Sequence, residues 1–268
     1  MELEKIAKEI RKDILLQVYS ANSGHPGGAL SCADILTAIY FDTLEDGDKV
    51  ILSKGHASSA LYAIFAEKGW IDKEELKTFR RLGSRLQGHP SFTKLNLVDA
   101  SSGSLGQGLS IANGMALGWK LDKKKNHVYV ILGDGEIQEG QIWEAAMTAT
   151  HYKLNNVIAF LDYNGLQIDG SNDEVMKIKP VDKKWKAFGW NVQEVDGHNL
   201  KEISEAIQKA KLSRKPNLIL AHTVKGKGVS FMENMCEWHG KAPNQEQYEK
   251  GVSELQWLRQ EKVMEMLW

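Results

Sequence analysis

Asp134 stands between Gly133 and Gly135, directly after the apolar run Val128–Leu132 (VYVIL). Asn164 follows 30 residues later, at the end of a second such run, NVIAFLDYN. In an open parallel sheet, ligands gather at the carboxyl ends of the strands. One carboxylate, one amide oxygen and a nearby backbone carbonyl make a hard oxygen set of the kind Mg²⁺ takes, completed by substrate phosphates and water. The flanking glycines leave the backbone open to a phosphate or a metal. The cofactor this implies carries a diphosphate. No G-x-x-x-x-G-K-[ST] is present, and no G-x-G-x-x-G opens a helix after a strand, which argues against ATP and NAD. Taken alone, Gly-Asp-Gly is also a common strand-to-helix turn; Asn164, at the distance of one crossover, favours the functional reading.

The elements that would carry these residues follow from periodicity. Leu3, Ile6, Ile10, Ile14 and Val18 recur at helical spacing, which predicts a helix over 2–21 that stops at a loop, NSGHPGG. Ser31 is a candidate cap for a helix over 32–41, and KVILS (49–53) reads as a buried strand. Helices are expected near 57–68 and 73–82, the second capped by Asp72. Residues 84–105 lack periodicity, and a loop this long is functional or disordered. Small and apolar residues predict a closely packed helix over 107–121. Four β-branched runs, HVYVIL, NVIAFL, WNVQEV and NLILAH, alternate with helical stretches, and the tail 245–268 reads as helical. Strands separated by helices mean βαβ crossovers. The expected fold is a single α/β domain over 1–268, a doubly wound parallel sheet flanked by helices.

Composition narrows the function by exclusion. Thirty-four basic residues against 35 acidic ones give a net charge of −1, which supports neither a nucleic-acid nor a membrane-surface role. Two isolated cysteines, Cys32 and Cys236, provide neither a disulfide framework nor a zinc site. The N-terminus lacks the apolar core of a signal peptide, and no apolar run approaches the ~20 residues that cross a bilayer. A cytoplasmic protein is expected. Of the eight histidines, five adjoin glycine, as solvated loop histidines do. VKGKG (224–228) offers either a phosphate-friendly loop or a solvated basic turn, and the solvated turn is the preferred reading.

Ordered along the chain stand SGHPGG (23–28), LSKGHAS (52–58), GHP (88–90), SGSLGQG (102–108), GDGEIQEG (133–140), DYNGLQIDG (162–170), VDGHN (195–199) and HG (239–240). With Gly-Asp-Gly and Asn at this separation, the chain resembles the thiamine-diphosphate enzymes and, more narrowly, the transketolase family over nearly its whole length. The resemblance implies the following roles. Asp134, Asn164 and the carbonyl of Leu166 bind Mg²⁺, with Ca²⁺ or Mn²⁺ as substitutes, and the ion bridges them to the cofactor diphosphate. Gly135 gives that diphosphate a backbone contact, and His56 and His239 lie near it. Gly103, Ser104 and Leu105 touch the cofactor rings, although Ser104 stands where the family commonly has proline. His25 and His239 act as acid/base groups on the donor sugar, a task that suits an imidazole with an ordinary pKa of ~6.5. His89 holds the hydroxyl end of that sugar, and Glu139 couples cofactor sites across a subunit interface. These motifs lift His25, His56, His89 and His239 out of the solvated class, whereas His198 keeps a structural reading.

Nothing in the chain matches the family's second half, whose glutamate protonates the aminopyrimidine and whose arginines hold the sugar phosphate. The cofactor must be oriented from both sides. The resemblance therefore implies the N-terminal subunit of a split transketolase, completed by a C-terminal polypeptide in an α₂β₂ assembly. Met1 and the helical tail read as a natural subunit rather than a truncation. A deoxyxylulose-phosphate-synthase-like subunit and a non-catalytic thiamine-diphosphate-binding module are the alternatives.

Overall fold

A computed structural model describes residues 2–257. Five strands, β1 (Lys49–Leu52), β2 (Val128–Gly133), β3 (Val157–Tyr163), β4 (Asn191–Asp196) and β5 (Asn217–His222), pair in the order β1-β2-β3-β5-β4, and every pairing is parallel. The β-branched runs are continuous because both faces of the sheet are covered. Alternation sorts their side chains: Tyr129, Ile131, Ile158 and Phe160 enter one core, and Val128, Val130, Val157 and Ala159 the other. The first core is closed by α1 (Glu2–Ala21), α3 (Ala33–Ala38), α4 (Ser58–Glu67) and α9 (Leu200–Lys211); α5 (Gln107–Leu121), α6 (Gly140–His151) and α8 (Val181–Ala187), the last preceded by the single turn α7 (Asn172–Val175), close the second. This is the doubly wound parallel α/β fold expected from the sequence. The edge strand β4 is mostly half-exposed and polar, with Gln193, Glu194 and Asp196 on it, which discourages further strand pairing.

Several boundaries differ from expectation, each for a local reason. The supposed loop NSGHPGG already contains a helix, α2 (Pro26–Ser31). Proline is tolerated at the first helical position. The glycines serve close packing rather than a turn: a Cβ on Gly27 would lie 2.9 Å from the Trp238 carbonyl oxygen. Ser31 caps nothing, because it ends α2 and donates its hydroxyl to Asp162. The helix expected over 32–41 is α3, which loosens into a π-turn at Ile39–Thr43. The one expected near 73–82 shrinks to a 3₁₀ segment, Lys73–Thr78, although Asp72 does cap it by accepting from Glu74 N–H. Residues 84–105 form no helix or strand; Ser58, Tyr62 and Ser102 hydroxyls tie this loop down through Gly88, Gln87 and Leu52 carbonyls. The tail forms α10 (Gln245–Trp257), stacking Tyr248 on Tyr19 of α1 at 4.5 Å; the rest of the expected tail helix lies outside the described residues.

Among the described residues, no helix is long and apolar enough to cross a membrane.

Candidate functional site

The carboxyl ends of β1, β2, β3 and β5 converge on a cavity of about 330 Å³, to which α2 and the His239 turn also contribute. Parallel register puts Gly133 of β2 beside Asp162 of β3, so the segments that follow, Asp134 and Asn164, emerge side by side. Both line the cavity, as do Gly135, Leu166, His25, His56, Gly103, Leu105 and His239. Ser104 does not line it, and its side chain is exposed. His89 packs at the rim, with its ring 3.4 Å from where a Cβ on Gly103 would stand. Glu139 lies outside the cavity, exposed at the start of α6.

Asp134 is 3% exposed and receives only neutral donors: Gly135 N–H at 2.9 Å, Gly165 N–H at 2.7 Å and the Asn172 amide at 2.8 Å. Burial pushes its pKa up to about 6 despite these bonds. A buried carboxylate with no cation bonded to it, beside an amide oxygen and a carbonyl, fits a divalent ion. Asn164 Oδ1 meanwhile accepts from Leu166 N–H at 3.2 Å, which curls the Leu166 backbone back toward the same place. No cluster of three or more His, Cys, Asp or Glu forms a metal cage among the described residues. The oxygen set is sparse, which suits a hard divalent ion that also takes phosphate and water as ligands.

Three imidazoles face one another across the cavity, His25, His56 and His239, with ring centres 5.2 to 5.5 Å apart. Their pKa values do not sit near 6.5. Burial, then Arg80, His89 and Lys225, lowers His25 to about 4. Burial, then Lys225, His25 and Lys54, lowers His239 to about 3, and His56 falls well below its usual value. At neutral pH all three rings are uncharged, so the ordinary imidazole pKa expected from the sequence is corrected by burial and nearby cations.

Four further groups shape the site without having been singled out in the sequence. Lys54 is buried, pairs with Asp162, and donates to the Gly28 carbonyl at 2.7 Å. Asp162, fully buried, also accepts from Ser31 and Thr223 and so ties α2, β1 and β5 together. Glu136 accepts from Gly133 N–H at 2.9 Å, Gly106 N–H at 2.8 Å and the Ser53 hydroxyl, fixing the Gly-Asp-Gly turn against β1 and the start of α5. Lys225 overturns the solvated-turn reading of VKGKG. It is 1% exposed, lines the cavity, and donates to His239 Nδ1 at 3.0 Å. Buried next to Asp134 and Lys54, it adds a second cation suited to a diphosphate. The neighbouring loop histidine keeps its structural reading. His198 bonds Asp34 at 2.7 Å and accepts from Val224 N–H at 2.8 Å, which fixes the segment that carries Lys225.

Residues 3–264 match the family described as transketolase, thiamine diphosphate binding domain. The chain belongs to this family. Among its relatives, an apulose-4-phosphate transketolase subunit of Phocaeicola vulgatus is 41% identical over 94% of this chain and 93% of its own length. The 6-deoxy-6-sulfo-D-fructose transketolase subunit SqwG of a Clostridium species is 43% identical over 96% and 97%. The crystal structure of Campylobacter jejuni transketolase superposes with a TM-score of 0.88 at 34% identity, covering 95% of this chain but 42% of that one. The chain thus has the fold of the N-terminal, thiamine-diphosphate-binding part of transketolase and spans about two fifths of that full-length enzyme.

Proposed function

We propose that this chain is the diphosphate-binding half of a split transketolase. With a separate C-terminal subunit it moves a two-carbon ketol unit from a ketose carrying an anionic end group to an aldose phosphate. The observation that carries this reading is the cavity itself, lined by Asp134, Asn164 and Leu166, by Lys54 and by Lys225, which reaches the Leu166 carbonyl at 3.5 Å, and by three neutral imidazoles. When bound, thiamine diphosphate supplies the carbanion chemistry of the reaction.

In this reading Asp134, Asn164 and Leu166 hold Mg²⁺, and Ca²⁺ or Mn²⁺ can replace it. Gly135, His56 and Lys225 hold the diphosphate, and Gly103 with Leu105 supports the rings through backbone and apolar contact; Ser104 adds backbone only. His25 and His239 meet the sugar, and His89 at the rim holds its far hydroxyls. Residues 1–268 make one domain, the pyrimidine-binding domain belongs to the partner, and Glu139 faces a neighbouring subunit in an α₂β₂ assembly. Two similar subunits are named for a sugar phosphate and a sulfo sugar, which is why a ketose with an anionic terminus is the proposed donor.

Calorimetric titration of thiamine diphosphate into the two-subunit complex, with and without Mg²⁺, tests the cofactor assignment. Removal of groups outside a metal's own ligands already costs about 10- to 100-fold in affinity, so Asp134→Ala is expected to weaken Mg²⁺-dependent binding by more than about 100-fold. Unchanged affinity in that variant would remove Asp134 from the site.

A further inference from the structure

Arg80 lies in the loop between the 3₁₀ segment Lys73–Thr78 and His89, and its backbone is left-handed, with φ at +58°. For a non-glycine residue this conformation is strained and persists where the surroundings demand it. The surroundings do. Arg80 N–H donates to the Leu86 carbonyl at 2.9 Å, and the guanidinium lies over the Phe79 ring at 5.4 Å. Nη1–H donates to Ser23 Oγ at 2.8 Å and Nη2–H to His25 Nδ1 at 3.1 Å. Room for the head group exists because residue 88 is glycine; a Cβ there would stand 2.9 Å from Nε. One side chain thus joins the Ser23–His25 segment to the Gly88–His89 segment.

A guanidinium only donates hydrogen bonds. His25 Nδ1 must therefore accept, and the neutral ring carries its proton on Nε2. That edge faces the His239 segment, 3.8 Å from where a Cβ on Gly240 would be, beside the cavity that both histidines line. The charged and titratable groups around the ring are Arg80, His89 and Lys225, with His56 and His239 at 5.3 and 5.5 Å.

We propose that Arg80 is a positioning residue for ketol transfer: it locks His25 as the Nε2–H tautomer, so that His25 meets a sugar oxygen as a hydrogen-bond donor, and it holds the His25 and His89 loops in one arrangement. The proposal rests on the reading of His25 as a sugar-handling group. It changes the expected role of that histidine, because a ring protonated on its inward edge cannot begin by removing a proton there.

Long-range proton–nitrogen correlation spectra of the full chain labelled in its histidines report the tautomer directly, with His25 assigned from the signals lost in His25→Gln. The expected result is a bare Nδ1 and a protonated Nε2, and in Arg80→Met a mixture in which protonated Nδ1 appears. Gly88→Ala keeps the arginine but crowds its head group and should produce the same change in smaller measure, which guards against a variant that does not fold. In the two-subunit complex, Arg80→Met is expected to lower kcat about 10-fold, the loss of one charge-assisted hydrogen bond. Cofactor affinity and donor KM should stay within about twofold, with most of the rate recovered in Arg80→Lys. A native His25 protonated on Nδ1, or a tautomer and rate indifferent to Arg80→Met, would overturn the proposal. The expected tautomer change in a complex with no ketol transfer at all would instead sink the functional reading and leave the hold of Arg80 on His25 standing.

Discussion

At Asp134 the burial that keeps water from the carboxylate also raises its pKa to about 6, so a proton and a metal ion compete for the same oxygens. The carboxylate is ionised above that value and protonated below it. Mg²⁺ affinity of the complex should be flat above pH ~7 and fall about tenfold per unit below pH ~6. Magnesium titrations at several pH values check this, and a flat profile down to pH ~5 would refute it. Asp134 and Asn164 were legible because glycines and strand ends mark them in the sequence. Lys54 and Lys225 were not. A lysine next to glycine reads as solvated until the fold supplies its partner, and the carboxylate of Asp162 lies 108 residues from Lys54. The neutrality of His25 and His239 was hidden for the same reason, since burial by the fold and then cations from other loops lower their pKa values.

Between elements, Gly108 of α5 stands hard against Ser53 after β1. A Cβ on Gly108 would fall 2.5 Å from Ser53 Cβ and 2.9 Å from its Cα, and the backbone atom cannot yield cheaply. Gly108→Ala should destabilise the chain by about 1–3 kcal/mol. That corresponds to a drop in Tm of about 2–4 °C per kcal/mol for a chain this size, readable by calorimetry; an unchanged Tm would show that the helix start can shift freely. A second tie joins α1, α3 and the turn after β4. Burial alone would raise Asp34, but Arg11 and His198 outweigh it and hold the carboxylate at about 2. Its folded pKa is depressed, so its stabilisation, on the order of 2 kcal/mol, is present above pH ~4 and lost as pH falls toward 2. Asp34→Asn should remove that acid-range loss, and an unaltered pH–stability curve would contradict the assignment. Helix α1 was readable from apolar spacing, α5 from its small and apolar residues, and α9 as the helical pattern between two strand runs. The Pro-Gly-Gly start of α2 was not, because Gly27 fits against Trp238 and Lys225 and Gly28 against His56 and Lys54, contacts that sequence spacing does not express.

Across the whole molecule, the carboxyl end of the sheet gathers every candidate cofactor ligand except Ser104, and relatives of the same length are named as subunits. The fold class was legible because alternating strands and helices admit few arrangements. The strand order, with β5 between β3 and β4, was not, since nothing local distinguishes the two runs. A site built from one side positions half a cofactor, and the account stands or falls on whether the other half comes from a second chain. The deciding measurement is ketol transfer with Mg²⁺ and thiamine diphosphate, from xylulose 5-phosphate and from ketoses ending in phosphate or sulfonate, to ribose 5-phosphate. It is run on this chain alone and mixed with the polypeptide encoded beside it. Transfer that appears only in the mixture, and disappears there with Asp134→Ala, is the predicted result. Full transfer by the chain alone would contradict the account.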